Sequence, residues 1–343
     1  MAGIVLAPLS AQAQQSFGEV IKAGTKDANT LIRVYFEPGG KAVGHALNGG
    51  WFNSGKAMGL GRFDVRLFAT GVFVPKDQTT FDISTLELEK IRLSPGQSPI
   101  APTIFGEDEE GPQMEVETTG AGEKATFRTP PGIGYRNVPI PMAQVSLGLV
   151  KDTEVAVRYV PEVKYEDYST KLWGVGVKHG LKQWIPVISA IPGFDIAAFG
   201  GYTQLEANAA LNLEPDPAAA KTAQQQQPGY YDNQALVFTT KAWTVSLVAS
   251  KTLSVITAYG GVKYSHATTD VNVNGRFPVT TFRGTPPARE IVDLVDPVVL
   301  NVEDSQFGLT AGFRLKLLFF SVYGEGTLAK SPSATAGVGF GFN

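Results

Sequence analysis

The sequence predicts an all-β fold: a transmembrane antiparallel up-and-down β-barrel of about twelve strands, with ten to fourteen left open, and an N-terminal helical plug. Three observations lead to this prediction. Apolar and polar residues alternate along many segments, these segments have similar lengths, and several carry a charge in the middle of the polar face. A membrane barrel turns its apolar face to lipid and lines its lumen with the other face.

The clearest alternation lies near the C-terminus. Residues 306–317 read QFGLTAGFRLKL, with apolar residues at odd positions and small or polar residues at even positions. Residues 335–342 repeat the pattern, with alanine, valine and phenylalanine on one face and glycine on the other. A period of two residues indicates a β-strand with two different faces.

Other segments share this alternation or have a strand-like composition. The full set of candidates is 62–73, 80–92, 113–127, 139–150, 154–160, 170–179, 194–206, 235–249, 252–264, 305–316, 318–328 and 334–342. Residues 80–92 and 113–127 are the weakest. The clear segments are roughly 9–13 residues long, which suits a tilted strand that crosses a bilayer, whereas sandwich strands average about 5–6 residues.

Four charged residues lie in the middle of the predicted inner faces: Arg66, Arg158, Arg314 and Glu325. In the competing fold, a soluble exported β-sandwich, this face would be a dry core, where a buried charge costs a large amount of free energy. A hydrated lumen accommodates the same charges. They therefore favour the barrel, and we expect them to set the electrostatics of its lumen.

The predicted connections fall into two length classes. Those at 151–153, 250–251 and near 316–317 are tight, whereas 212–233 and 266–304 are long and polar. Outer-membrane barrels have short periplasmic turns and long external loops. If the last strand runs inward, every tight connection lies on the periplasmic side.

Two further features bear on this topology. Residues 93–112 would form an unusually long inner connection, and residues 181–191 are predicted to form a short interfacial helix, broken by Pro186. Aromatic residues near predicted strand ends fit the girdles of a membrane barrel. They are Tyr159, Trp173, Trp184, Tyr202, Trp243, Tyr259 and Phe320.

The N-terminal region divides into two predicted segments before the barrel at 61–343. Residues 1–13 resemble a signal peptide without a basic start, so the true N-terminus could lie upstream. Within residues 14–60, apolar spacing predicts a helix over 17–35 that the Pro-Gly-Gly at 38–40 ends. We expect this region to enter the barrel as a plug, although a helix below the barrel or on the inner membrane surface is the alternative.

A glycine-, asparagine- and aromatic-rich stretch follows this helix. In the plug interpretation, Trp51, Phe52 and Asn53 close the lumen. A barrel of about twelve strands is wide enough either to need filling or to conduct. This arrangement is similar to that of long-chain fatty-acid transporters, whose N-terminus also occludes a barrel, and the similarity is one of architecture only.

The composition excludes several classes of function. The chain has no cysteine, which rules out disulfides and thiolate chemistry, and a net charge of −3 gives no basis for nucleic-acid binding. The three histidines, His45, His179 and His266, lack zinc-ligand spacing. The acidic run at 107–110 fits a solvated loop better than a calcium site. We therefore expect no metal, no cofactor and no enzymatic activity. An enzyme would need a serine–histidine pair within hydrogen-bond reach, which no spacing places.

Most of the mature chain also resembles a known family. Residues 28–81 resemble an uncharacterised Bacteroidetes-type family of outer-membrane barrels, a domain of unknown function. The residues that carry it are Ala28-Asn29, Tyr35, Pro38, the run LNGGWFNS at 47–54, Phe63-Asp64, Val74-Pro75, Thr80-Phe81, 101–106 and 182–186. The resemblance implies an outer-membrane location in a Gram-negative bacterium and supplies no substrate.

The expected function is passive transport, or a gated channel, for a small and conceivably hydrophobic solute. The alternative is a closed structural or interaction barrel whose long loops bind partners. Expected partners are outer-membrane lipid and the barrel-assembly machinery, which would bind the C-terminal strand. That strand departs from the common ending because Asn343 follows the terminal aromatic Phe342.

Overall fold

A computed structural model describes residues 25–116, 125–283 and 288–342. The predicted signal peptide at 1–13 and the first part of the predicted helix at 17–35 lie outside these residues.

The described residues form two α-helices and seventeen β-strands. The helices are α1 (Thr25–Leu47) and α2 (Pro186–Ser189). The strands are β1 (Phe63–Phe73), β2 (Thr80–Asp82), β3 (Ile91–Leu93), β4 (Ile100–Pro102), β5 (Gln113–Val116), β6 (Ala125–Arg128), β7 (Asn137–Gly148), β8 (Thr153–Tyr165), β9 (Tyr168–Gly180), β10 (Phe194–Leu211), β11 (Gln234–Leu253), β12 (Ile256–Asn274), β13 (Arg276–Arg283), β14 (Ala288–Val295), β15 (Val298–Leu317), β16 (Phe320–Leu328) and β17 (Ser333–Phe342).

Ten of these strands form a closed antiparallel barrel in the order β1-β17-β16-β15-β12-β11-β10-β9-β8-β7, with β7 pairing back onto β1. This confirms the predicted all-β antiparallel barrel. The preferred count of twelve strands is wrong, and the observed ten lies at the lower edge of the predicted range. No helix in the described residues combines the length and apolar character needed to cross a bilayer.

The two weakest strand predictions account for the error in the count. Residues 80–92 and 113–127 contribute only strands of three or four residues, in two small sheets, β2–β4 and β3–β5–β6. Such strands are too short to cross a bilayer. Because β2 to β6 are not barrel strands, residues 74–136 form a single connection between β1 and β7, which we call the 74–136 excursion. Residues 93–112 therefore do not form an inner connection.

The two ends of the barrel differ. At the tight-turn end, β7–β8, β11–β12 and β15–β16 join through short turns in which Asp152, Ser254 and Leu318 have positive φ. The first residue of β1 and the last residues of β17 lie at this end. At the opposite, long-loop end lie the connections 74–136, 212–233 and 275–297. The short connections 166–167 and 329–332 also lie at this end. The predicted asymmetry therefore holds for the long connections, but the expectation that every tight connection lies at the other end is wrong.

The helix predicted at 181–191 lies at the tight-turn end. It consists of a 3₁₀ turn at Lys182–Trp184 followed by α2, whose first residue is Pro186. Proline is tolerated at the first helical position because its missing N–H would be unpaired there anyway. Trp184 and Val187 are largely exposed on its surface, as an interfacial helix requires.

The outer face of β15 carries a continuous band of apolar side chains. Its outward residues are polar at Asn301, Glu303 and Ser305 and apolar from Phe307 to Leu317. The apolar part measures about 33 Å along the strand, or about 25 Å along the barrel axis at a tilt of about 40°. That is the height of the apolar band on a transmembrane barrel. The strand therefore continues beyond the band at the long-loop end.

Aromatic rings border this apolar band on both sides. On the long-loop side, neighbouring strands place Trp173 beside Tyr202 and Trp243 beside Tyr264, with ring centroids 5.4 and 5.5 Å apart. At the tight-turn end the rings of Phe63, Phe342, Phe319, Phe340 and Phe320 contact one another. Tyr259, predicted as a girdle residue, is buried inside the barrel because its position in β12 alternates inward.

The long-loop end is held by polar contacts between connections. Tyr230 and Tyr231, in the 212–233 connection, both donate hydrogen bonds of 2.8 Å to the carboxylate of Asp293 in β14. Gln225 donates a third, of 3.0 Å, to the same carboxylate. The bond to Asp293 raises the pKa of Tyr230, and burial together with Asp293 raises that of Tyr231. These contacts join the two longest loops after β10.

Arginine placed on the outer face of β15 tests the position of the apolar band. We expect Ala311→Arg to lower the free energy of unfolding in lipid by about 2–4 kcal/mol, because Ala311 lies near the middle of the band on the outer face. Val299→Arg, on the same face beyond the band, is the matched control and should cost about 0–1 kcal/mol. Guanidinium titration in phosphatidylcholine vesicles, followed by tryptophan fluorescence, measures both. Equal costs would contradict the assignment of the lipid-facing band.

Candidate functional site: the plug and the charged lumen

Helix α1 runs inside the barrel and enters it at the long-loop end. The side chain of Asp27 accepts hydrogen bonds of 2.8, 2.7 and 2.9 Å from the backbone N–H groups of Glu89, Lys90 and Ile91. Asn29 donates to the carbonyl of Pro297, just before β15, at 3.3 Å. Further along, His45 lies 2.7 Å from Asp304 on the inner face of β15. The chain therefore passes from the long-loop end toward the middle of the lumen.

The helix continues through Pro38 to Leu47, so the prediction that it ends at 38–40 is wrong. Glycine and proline weaken a helix in isolation, but here the small residues allow close contact with the wall. A Cβ on Gly44 would overlap Ala267, and one on Gly40 would lie 3.1 Å from Thr269. Packing inside the barrel therefore outweighs the local tendency to end the helix.

Residues 48–62, which we call the plug loop, connect α1 to β1 at the tight-turn end. They contain no helix or barrel strand. Gly50 has a φ of 68°, and a Cβ there would overlap the ring of Phe68. The plug loop can therefore bend at this position only because it has glycine. The bend points its backbone carbonyls toward the inner wall of the barrel.

Arg158, fully buried on β8, is surrounded by the plug. Its guanidinium donates hydrogen bonds of 2.7 Å to the carbonyls of both Leu47 and Gly49. It also donates to Gln144 at 3.1 Å, and its charge lies 3.4 Å from the centroid of the Trp51 ring. Carbonyl oxygens and a ring face thus replace the water that such a charge loses on burial.

Arg66 and Glu325 hold the other side of the same bend. Arg66 donates to the carbonyl of Trp51 at 2.8 Å and lies 3.4 Å from the carboxylate of Asp64. Glu325 accepts a 2.9 Å hydrogen bond from the backbone N–H of Gly50. The hydroxyl of Tyr259 donates to the same carboxylate at 3.3 Å. The N–H of Gly50 and the carbonyl of Trp51 therefore both have hydrogen-bond partners on the inner wall of the barrel.

The side chains of the plug loop pack across the lumen. The rings of Trp51 and Phe52 lie 5.3 and 5.9 Å from Phe199, and Phe52 lies 6.2 Å from Tyr259. Asn53 accepts a 3.3 Å hydrogen bond from Arg314. The structure thus brings together all of the predicted plug and lumen residues. Trp51 and Asn53 contact the inward charges directly, and Phe52 contacts aromatic rings of the wall.

Sequence reasoning named only part of this network. Asp64, Gln144, Glu154 and Lys178 also point inward, and Glu154 forms a 2.7 Å ion pair with Lys178. Glu154 also accepts a 3.2 Å hydrogen bond from the N–H of Met58 in the plug loop. The alternation that identified Arg66 would have found these residues, because each is a polar side chain at an inward position of a predicted strand.

A cavity of about 430 Å³ lies inside the barrel between the plug loop and the tight-turn end. We call this cavity the vestibule. Its wall includes Ser254 and Leu318 from the turns, and the exposed plug-loop residues Lys56 and Gly59. Deeper in the barrel it reaches Asn53, Arg66 and Arg314. The vestibule therefore leads from the tight-turn end to the contacts of the plug loop with Arg66 and Arg314.

The three histidines lie apart. His45 is buried against Asp304, whereas His179 and His266 lie on the outer face. The imidazole of His266 is 2.8 Å from the hydroxyl of Ser305, and that of His179 is 3.0 Å from the hydroxyl of Thr153. The strand register creates both pairs, which is why the sequence did not reveal them. The second ring nitrogen of His266 contacts Thr268 at 3.2 Å.

Comparison with known families covers almost the whole chain. Residues 1–342 match the family described as "Family of unknown function (DUF6588)". The chain belongs to this family. That result confirms the predicted resemblance to an uncharacterised family, and it assigns no activity. No curated protein matches.

Several solved structures show distant similarity. The outer membrane protease OmpT from Escherichia coli is 9% identical, with 82% of this chain and 97% of that chain covered and a TM-score of 0.34. Ail, the attachment invasion locus protein of Yersinia pestis, is 5% identical over 82% and 99%, with a TM-score of 0.27. The Ralstonia pickettii toluene transporter TbuX is 8% identical over 83% and 90%, with a TM-score of 0.23. Similarity this low carries no functional argument, so the fold assignment depends on the strand pairing itself.

Removal of the Arg158 guanidinium tests what holds the plug. We expect Arg158→Leu to leave the carbonyl of Gly49 without a donor and that of Leu47 with only a 3.4 Å hydrogen bond from Thr203. The loss of the two hydrogen bonds from a charged donor should cost about 2–5 kcal/mol. Hydrogen exchange should then accelerate at residues 47–52 while the barrel strands stay protected. Lys164→Leu, an exposed cation on the same strand, is the control and should change neither. Unchanged protection of the plug amides in Arg158→Leu would contradict the proposed role of Arg158.

Proposed function

We propose that this protein is an outer-membrane barrel that allows passive passage of a small solute when its plug loop shifts. One observation carries the proposal: the plug loop, outside the barrel ladder, closes the lumen directly above a solvent-accessible vestibule. Many of its contacts are single hydrogen bonds to wall side chains, each with a net value of about 0.5–1.5 kcal/mol, or about 1.5–3 kcal/mol when the partner is charged. Such contacts can be exchanged for water without unfolding the barrel.

The outer surface of the barrel supports the proposed outer-membrane location. A band of apolar side chains about 25 Å high with aromatic borders matches the hydrocarbon core of a bilayer. In this proposal, outer-membrane lipid contacts the apolar band on the outer face of the barrel. By the same reasoning we propose that the barrel-assembly machinery binds β17, whose outward residues are Ala334, Ala336, Val338, Phe340 and Phe342.

The vestibule favours a polar solute over the hydrophobic one considered from the sequence. Six of its wall residues are cations and three are anions. A hydrophobic solute would have to desolvate these charges without replacing their interactions with water. The proposed substrate class is therefore small and polar.

The competing proposal is a closed structural barrel whose long loops bind partners. It is supported by the apolar packing of α1, in which Phe36 lies 5.1 Å from Phe238 on the wall and the hydroxyl of Tyr35 donates to Pro131 at 2.7 Å. These contacts anchor the helix. They do not involve the plug loop, so a movement of residues 48–62 alone is compatible with a fixed helix.

Conductance separates the two proposals. Deletion of residues 14–61 should raise single-channel conductance in planar bilayers, because it removes α1 and nearly the whole plug loop. In the full chain, Ser54→Cys with Ser250→Cys should form a disulfide, since the two hydroxyl oxygens are 3.4 Å apart. The oxidised variant should lose any openings of the native protein, and a reductant should restore them. Ser54→Cys alone, treated with the same oxidant, is the control. No increase after the deletion would favour the structural barrel.

We propose that the protein is not an enzyme, even though the fold contains the serine–histidine pair that an enzyme would need. In the part of the chain that the structure describes, the hydrogen bonds of His266 go to Ser305 and Thr268, with no carboxylate to orient the ring. The backbone N–H groups nearby belong to a regular β12–β15 ladder, which leaves no oxyanion donors. Hydrolysis of a phospholipid or ester that Ser305→Ala abolishes would overturn this proposal.

The orientation of the barrel can be tested by cysteine labelling, because the chain has no cysteine of its own. Lys26→Cys lies at the long-loop end, where this side chain is 61% exposed, and Ser254→Cys lies in a turn at the other end. A membrane-impermeant maleimide should label only Lys26→Cys on intact cells. Both should react after the outer membrane is permeabilised. Labelling of Ser254→Cys on intact cells would reverse the orientation.

A further inference from the structure

We propose that the vestibule is a binding site for a small solute that carries an oxyanion, either a carboxylate or a phosphate. The wall of the vestibule, its unused hydrogen-bond donors and its size all point to this ligand class. The site lies in the closed barrel. Binding therefore does not depend on movement of the plug.

The first argument is charge. The cations in the wall are Lys56, Arg62, Arg66, Lys178, Arg314 and Lys316, and the anions are Asp64, Glu154 and Asp195. The chain as a whole has a net charge of −3, so the vestibule has the opposite sign to the rest of the protein. A concave site with one dominant sign of charge in low-dielectric walls concentrates solutes of the other sign.

The anions of the wall already have partners. Glu154 pairs with Lys178 at 2.7 Å, Asp64 with Arg66 at 3.4 Å, and Asp195 lies 3.9 Å from Lys182. Among the described residues, no carboxylate lies within ion-pair distance of Lys56, Arg62 or Arg314. A cationic ligand would have to displace an existing pair, whereas an anionic one would not.

The second argument is unused donors. Arg314 has only long contacts with neutral oxygens, at 3.3 Å to Asn53 and 3.5 Å to Thr257. Its Nε and the Nδ2 of Asn53 are buried and donate no hydrogen bond, whereas the Nε of Arg66 is already paired with Asp64 at 3.4 Å. Arg314 and Asn53 both line the vestibule. Buried donors without acceptors are costly, and an oxyanion supplies acceptors that could relieve this cost after a small rearrangement of the side chains.

The third argument is size and access. A volume of about 430 Å³ falls within the range of small-molecule sites, about 300–1,000 Å³. Arg62 and Lys56 are exposed to solvent at its edge, and Arg314 lies further in. An anion arriving from the tight-turn end would meet the exposed cations first. It would then reach Arg314 beside Asn53, directly below the plug.

Calorimetric titration of the full-length protein in detergent tests the proposal. Succinate and inorganic phosphate are the probes, and glycerol is the neutral control. We expect saturable binding of at least one anion and none of glycerol. The anion that binds more tightly identifies the carboxylate or the phosphate as the recognised group. Binding should weaken as sodium chloride increases, since exposed charges are screened.

Variants assign the binding to the vestibule. Arg314→Gln should weaken it at least tenfold, because it removes the charge and keeps a polar side chain. Arg62→Gln, at the exposed edge, should weaken it several-fold and remains informative if Arg314→Gln does not fold. Lys164→Gln, an exposed cation at the long-loop end, is the matched control and should bind as the native protein does. Heat-modified mobility on gels establishes that each barrel is folded.

Two results would overturn the proposal. One is no saturable binding of either anion. The other is anion binding by Arg62→Gln and any folded Arg314→Gln that equals binding by Lys164→Gln. The conductance experiment is independent: a barrel that binds succinate and never conducts would refute the transport function alone, and one that conducts without binding would refute this inference alone.

Discussion

A polypeptide segment surrounded by lipid has no water to satisfy its backbone, so each N–H and carbonyl needs a partner within the protein. Ten strands meet this constraint by closing into a ring in which β1 pairs with both β7 and β17. Because the sheet is closed, each strand has one face toward the lumen and one face toward the outside of the barrel. The alternation of side chains follows this division, with apolar groups on the outer face and polar groups toward the lumen.

The lumen brings a second constraint. Arg158 and Arg66 are almost completely buried, and burial removes water that a charge would otherwise bind. Arg158 obtains its hydrogen bonds mainly from the carbonyls of the plug rather than from a carboxylate. The bend at Gly50 presents these carbonyls. The plug loop therefore acts as a substitute for water in the middle of the barrel, which ties the stability of the buried charges to the position of the plug.

The N-terminal segment has two parts that are held differently. Helix α1 packs apolar and small residues against the wall, as at Phe36 and Gly44, and against the 74–136 excursion, as at Gly39 beside Ile104. The plug loop relies on hydrogen bonds and on two aromatic rings that contact Phe199. Apolar packing is lost over large areas at once, whereas individual hydrogen bonds exchange with water at a small net cost. This difference places any movement in the loop and leaves the helix as its anchor.

The errors of sequence-based prediction have physical causes. Residues 80–92 and 113–127 look like strands, but alternation does not say which sheet a strand joins, and here they form small sheets at the long-loop end. Pro38 and the glycines after it predict the end of a helix. The helix nevertheless continues to Leu47, because it packs against the inner wall of the barrel, which an isolated helix could not do. The pair formed by His266 and Ser305 depends on the register between two strands that are joined by a long hairpin. None of these features is encoded by local spacing.

The sequence by itself determined the class of fold, the inward position of the four charged residues and the presence of an N-terminal segment suited to fill the lumen. These features could be predicted because the two-residue period and the polarity of each side chain can be read from a short segment of sequence. Only the tertiary structure decided the number of strands, the path of α1 from the long-loop end and the vestibule, in which Lys56, Arg62 and Arg314 have no carboxylate partner among the described residues. These depend on which strands are neighbours and on what space remains between them, and no single segment of the chain carries that information.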